Sequence, residues 1–201
     1  MKDKWIQVGY ENFALHGPAS LKVERLAKQL QRNKSGFYHY FSDTEIFIQV
    51  LLDHHFAQAK ILAEKEAQCE TQDELIDILV SHKEDLLFNR QLRIHRENPQ
   101  YDSCIESVSS IANPAIMGIW SKIIDLGDQS YLAALVLRLG IENFYLRITA
   151  ENLNHAWLKD YFAEFKKLVR AFRNAKQTPP IHLYLHFAVH WYSINNILWG
   201  Y

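Results

Sequence analysis

Two sets of side chains in this sequence have the types and spacing for chemistry. The first lies between Leu21 and Phe47, which reads as helix, short turn, short helix, tight break and longer helix. The short helix carries Lys34, Ser35, Tyr38 and His39, basic, small polar and aromatic groups that can hydrogen-bond. That layout suits a recognition helix lying in a DNA major groove. The second set is His182, His186 and His190, spaced four apart and so on one helical face. Imidazoles at i and i+4 can ligate a metal ion. A metal site needs further ligands, and the stretch from Ile181 to Tyr201 contains no Asp, Glu, Lys, Arg or Cys.

Other chemistries find no support. There is no Ser-His-Asp or Cys-His signature, phosphate loop or HExxH motif, so no catalytic residue and no cofactor is assigned. The alternative to a DNA-binding protein is a helical metal-binding protein or enzyme using the His182/His186/His190 face. With 201 residues the chain fits one or two domains and can bury a sizeable core. It is 48% hydrophobic with 7 glycines and 5 prolines, the composition of a folded, mostly helical protein. The formal net charge of −1 gives no global attraction to nucleic acid, but a local basic patch is allowed. Lys2, Lys4, Lys22, Arg25, Lys28, Arg32 and Lys34 gather early in the chain. Cys69 and Cys104 form no CxxC motif, which fits reduced thiols in the cytoplasm. No signal peptide is visible. Apolar runs near Leu132–Leu139 are broken by Arg138, Glu142 and Arg147, so no membrane span is expected.

The pattern that positions these groups is helical throughout. The spacing predicts a first helix from about Asp3 to His16, with Trp5, Gly9 and Phe13 on its inner face and Gly17-Pro18 as its stop. A second helix starts near Lys22, its apolar side formed by Val23, Leu26, Ala27 and Leu30. Gln31-Arg32 make the turn, and Asn33 is an N-cap candidate for the third helix, Lys34 to about Tyr40. Phe37, Tyr40 and Phe41 are expected in the core. Ser42-x-x-Glu45 reads as a capping box opening a fourth helix that runs to about Gln68. Further helices are expected over Gln72–Phe88, Tyr101–Ile111, Pro114–Leu126, Gln129–Ala150 and Asn154–Asn174, with Gly127 as a stop and Asp128 as a cap. Thr178-Pro179-Pro180 opens a last one. The fold class is all-α: an N-terminal helix-turn-helix domain, residues 1–46, followed by a helical effector-binding and dimerisation domain, residues 47–201.

Residues 5–55 resemble the N-terminal region of the TetR family of bacterial transcriptional regulators. The resemblance is carried by Trp5-Gly9-Phe13-Gly17, Val23-x-x-Leu26-Ala27, the run Phe37-Tyr38-His39-Tyr40-Phe41, and Glu45. It covers about a quarter of the chain strongly; the later helices agree in number and character. There are departures. Gln31 stands where the family often has glycine, Lys22 where Ser or Thr commonly touches a phosphate, and Thr44 where lysine is common.

The resemblance implies a cytoplasmic homodimer that binds operator DNA through Lys22, Asn33, Lys34, Ser35, Gly36, Tyr38 and His39. Lys34, Ser35 and Gly36 would face base edges, with Gly36 permitting close approach of the backbone. Tyr38, His39 and Lys22 would contact phosphates. The helices near 129–150 and 154–174 would form the intersubunit bundle. The central helices would enclose a cavity for a small-molecule effector that releases a repressor from DNA. Phe88, Met117, Trp120, Tyr131, Phe144 and Tyr145 are its candidate lining, although plain core packing is the simpler role for each. Three readings fit the C-terminal histidine helix: packing on the body or across the dimer, a metal site, and a membrane-surface helix. The last would want Lys or Arg on its polar face, and has none.

Overall fold

The computed structural model describes residues 1–125 and 130–175. These form nine α-helices and no strand among the described residues. Helix α1 (Lys2–His16) buries Trp5, Gly9 and Phe13, the face its spacing predicts. Gly17, at φ 71°, ends it, donating its N–H to the Phe13 carbonyl at 2.8 Å. A single 3-10 turn (Pro18–Ser20) leads to α2 (Val23–Gln29), which buries Val23, Leu26 and Ala27. Gln31 takes the left-handed conformation, φ 53°, that the missing glycine would have adopted freely.

Helix α3 (Lys34–Tyr38) starts at Asn33, but the Asn33 side chain makes no capping bond. Its carbonyl instead accepts the Gly36 N–H at 3.0 Å, so the turn closes through backbone alone. Helix α4 (Thr44–Ala67) corrects a second capping assignment. It begins one residue later than a Ser42 cap requires, and Asp43 Oδ1 accepts the Ile46 N–H at 2.8 Å. The Ser42 hydroxyl is spent on Asp43 Oδ2. The capping box lies at the next helix, α5 (Gln72–Ser81), between Thr71 and Glu74.

The helix expected over 72–88 is two helices. The chain breaks at His82, and α6 (Lys83–Ile94) follows. The His82 ring is held between Lys65 Nζ and Asp85 Oδ2, each at 2.8 Å. Conversely, the two segments expected around Pro114 are one helix, α7 (Pro99–Ile124). Pro114 removes one backbone bond on an exposed face. The long packing of α7 against α4 outweighs that loss. Asp125, at φ 54°, ends α7. The stop and cap expected at Gly127 and Asp128 lie outside the described residues. Helices α8 (Ser130–Arg147) and α9 (His155–Ala175) complete the body, joined to it by bonds such as Trp120 Nε1 to the Ala133 carbonyl and Tyr161 Oη to the Gly140 carbonyl.

Candidate nucleic-acid interface and buried cavity

Phe37 anchors the short helix α3. It is fully buried, and its ring meets Trp5, Phe47 and Phe41 at centroid distances of 5.5, 5.1 and 5.0 Å. With that one residue turned inward, its neighbours must face outward. Lys22, Asn33, Lys34, Ser35, Tyr38 and His39 are all exposed, and Gly36 is half-buried. Tyr40, expected in the core, is exposed as well; Phe41 and Phe37 already fill the space under α1. Arg32 joins Asn33, Ser35, Gly36 and His39 around one open cleft. Lys2, Lys4, Arg25 and Lys28 are also exposed.

Two details refine the chemistry. Lys34 pairs with Glu24 of α2, and this hydrogen bond holds the Glu24 carboxyl below its usual range. Any anion or base edge reaching Lys34 must displace a carboxylate that is itself exposed. At Gly36 the φ is not positive, and an added Cβ would come no nearer than 3.9 Å to Trp5. Nothing inside the fold requires glycine there.

A separate cavity lies inside the body, between α4, α5, α6, α7, α8 and α9. It offers about 90 Å³ to the centre of a water-sized sphere, several times what one water needs. Of the six aromatic and soft residues expected to line it, Trp120, Phe144 and Tyr145 do. Phe88 does not: it stacks between Tyr10 and Phe13, at 4.3 and 4.2 Å, under helix α1. Met117 packs against the core outside the cavity, and Tyr131 is 83% exposed. Helical spacing alone does not say toward which neighbour a residue turns.

The cavity wall also carries polar groups that pattern reading did not single out. Glu66 is 5% exposed and has no hydrogen-bond or ion-pair partner among the described residues. Burial pushes its carboxyl up to about 8, so at neutral pH it is mostly protonated. Arg93 is neutralised by Glu142, donates Nε–H to Asn89 Oδ1 at 3.2 Å, and lies 4.6 Å from the centre of the Tyr145 ring. Burial raises the Tyr145 hydroxyl to about 12. One signal for Glu66 was available: it continues the buried stripe Leu51, His55, Ala59, Leu62 of α4, where a carboxylate is out of place.

A chain of hydrogen bonds runs from this wall to helix α1. Asn89 Nδ2 donates to His55 Nε2 at 3.5 Å. The Tyr10 hydroxyl lies 2.7 Å from both His55 Nδ1 and Asp85 Oδ1. Its single proton goes to the Asp85 carboxylate, so His55 carries its proton on Nδ1 and donates to Tyr10. Asp85 Oδ2 then accepts from His82 Nδ1, whose other nitrogen accepts from Lys65. Burial lowers His55 to about 4 and keeps the ring neutral.

Among the described residues no group of three or more His, Cys, Asp or Glu could hold a metal ion, and no helix is long and apolar enough to cross a membrane. His182, His186 and His190 lie outside the described residues.

No family model matches the sequence, and no curated protein is similar to it at significant level. Solved structures are similar in fold. One is a protein from Mesorhizobium loti assigned to the TetR-family transcriptional regulators: 16% identity, TM-score 0.53, covering 85% of this chain and 95% of that one. Another, from a Rhodococcus species and assigned likewise, has 11% identity and TM-score 0.54 over 85% of this chain and 98% of that one. The chain has the all-α fold of these regulators, with a helix-turn-helix unit followed by a helical body.

Proposed function

We propose that this chain, which has the TetR-regulator fold, is a dimeric DNA-binding transcriptional regulator of the cytoplasm, a repressor released from its operator by a small molecule. The observation that carries the DNA-binding reading is α3: one buried aromatic, Phe37, presents a continuous outward row of hydrogen-bonding side chains. Lys34, Ser35 and Gly36 read base edges in the major groove. Lys22, Asn33, Tyr38 and His39 hold phosphates and set register, with Arg32 beside them. Residues 1–46 form the DNA-binding head and residues 47–201 the body.

The dimer reading is supported by α8. Tyr131, Leu135, Leu139 and Leu146 are 83, 44, 62 and 77% exposed, an apolar ridge that water alone does not favour. A second copy of the chain packed there would bury it and space two recognition helices about one DNA turn apart. The cavity supports an effector. A ligand there would touch Asn89 and Arg93, at one end of the hydrogen-bond chain that reaches Tyr10 of α1. It would shift DNA affinity by as much as it prefers one position of α6 over the other.

The test is selection of duplexes from a random-sequence library with the purified protein, followed by affinity measurements at two salt concentrations. Enrichment of a near-palindrome, bound in a strongly salt-dependent way, is expected. The Lys34→Ala/Tyr38→Phe double variant should lose that binding while keeping its helical content. A library that yields no enriched site removes the reading.

A further inference from the structure

The cavity in the body is built unevenly. Its aromatic walls, Trp120, Phe144 and Tyr161, supply ring faces and edges. Among the described residues its single basic group, Arg93, is already satisfied: Glu142 compensates the charge, Asn89 Oδ1 accepts a hydrogen bond from Nε–H, and the Tyr145 ring covers the guanidinium. Among the described residues its single acidic group, Glu66, has no such partner. It is 5% exposed, lines the cavity, and meets no donor among the described residues. A buried carboxyl without a partner is costly, and native structures rarely retain one without use. The group that would satisfy it must enter through the cavity, bring N–H donors, and tolerate aromatic surfaces.

We infer that this cavity binds a small organic cation, an ammonium group on a compact apolar or aromatic body, with Glu66 as its counter-ion. The aromatic faces suit the cation as well as the body, since ring quadrupoles attract positive charge in a desolvated site. An anion is disfavoured, because Arg93 would have to abandon Glu142 to receive it and Glu66 would stand beside it. The inference rests on the effector reading for its biological meaning, not for its test.

Protonation lowers the cost of burying Glu66. The groups near it are Arg93 with Glu142, Tyr145, Tyr161 and, beyond the end of α4, Cys69. Neither α5 nor α7 brings an ionisable group to the wall. Burial dominates, and the carboxyl stays neutral up to about pH 8. A bound ammonium would favour the carboxylate, so each cation that enters below that pH expels a proton.

Three probes of one shape and different charge test this: benzylammonium, benzyl alcohol and benzoate, titrated calorimetrically into the full-length protein without DNA. Benzylammonium should bind at least tenfold tighter than benzyl alcohol, and benzoate weakest. At pH 6.5, in two buffers of different ionisation enthalpy, benzylammonium should release about one proton per molecule bound. Glu66→Gln should abolish the proton release and bring the affinity for benzylammonium down to that for benzyl alcohol. Benzoate binding best, an unaltered preference in Glu66→Gln, or no binding of benzylammonium at millimolar concentration would each overturn the inference. If benzylammonium binds through Glu66 but DNA affinity does not respond to it, the inference stands and the effector reading fails.

Discussion

The Tyr10 hydroxyl donates to Asp85 Oδ1 at 2.7 Å, across 75 residues of sequence, and ties α1 to α6. The same hydroxyl accepts from the buried ring of His55. The Tyr10 ring stacks on Phe88, which stacks in turn on Phe13 and His55. Helices α1 and α6 therefore share a mixed aromatic and polar contact, beside the packing of α1 and α3 on Phe47 of α4.

Tyr10→Phe keeps the stack and deletes the hydroxyl. It leaves the half-buried Asp85 oxygen and the fully buried His55 Nδ1–H without their partner. A loss of about 1–3 kcal/mol is expected, the range for orphaning a buried polar group. Urea denaturation followed by circular dichroism measures it. An unchanged midpoint would mean that the hydrogen bond does not hold the two helices together.

Two buried groups give stability opposite slopes with pH, and the net should be nearly level from about 4.5 to 6.5 and fall from 6.5 to 8. His55 has a folded pKa of about 4 against an ordinary 6.5, because burial disfavours the charged ring while Asp85 opposes that shift and His54 adds to it. The unfolded chain binds more protons between those values, so stability falls as pH drops from about 6.5 to 4. Glu66 is raised from 4.5 to about 8, so the folded chain binds more protons there. Its contribution is full below 4.5 and lost as pH rises through 8. Between about 4.5 and 6.5 the two slopes offset, so Glu66→Gln should leave stability rising with pH from 4 to 6.5, and His55→Gln should leave it falling from 4.5 to 8, where Glu84, raised to about 7, adds to the fall, in denaturation midpoints measured from pH 4 to 9.

Two glycine-to-alanine changes in the head should separate packing from recognition. At Gly9 a Cβ would come within 2.3 Å of Phe47 Cζ, and Phe47 is fully buried with no room to retreat. Gly9→Ala should cost about 1–3 kcal/mol through overpacking. Gly36→Ala meets only ordinary contact at 3.9 Å and gains helix propensity, so stability should hold or rise slightly. Its effect should fall on DNA: weaker binding to the selected duplex, with the salt dependence unchanged because no charge is lost. Equal DNA affinity for Gly36→Ala would remove Gly36 from the interface.

Pro114 sits inside α7 on an exposed face. Replacing it with alanine restores a backbone donor and removes the ring clash. Pro114→Ala should therefore raise stability by roughly 1–3 kcal/mol, the scale of a helix-interior proline. Thermal denaturation decides, and a destabilised variant would mean that the proline shapes the packing of α7 on its neighbours.

The all-α class, the inner face Trp5-Gly9-Phe13, the turn at Gln31 and the outward row of α3 are legible in the residues alone. These follow from interactions three or four residues apart, from stop residues, and from one aromatic anchor, all of which are local. Departures from the expected pattern were also local competitions that neighbours decided. Asp43 took the cap from Ser42, His82 split a long amphipathic run, and tertiary packing carried α7 through Pro114. Which side chains meet between α4 and α9 depends instead on contacts far apart in the chain. Glu66 on α4 faces residues of α8 and α9, Arg93 finds Glu142 49 residues on, and Phe88 turns to the head and not to the cavity. Helical periodicity states that a residue faces inward. Which partner it meets there depends on how several helices cross, and that is set by the packing of the whole chain at once.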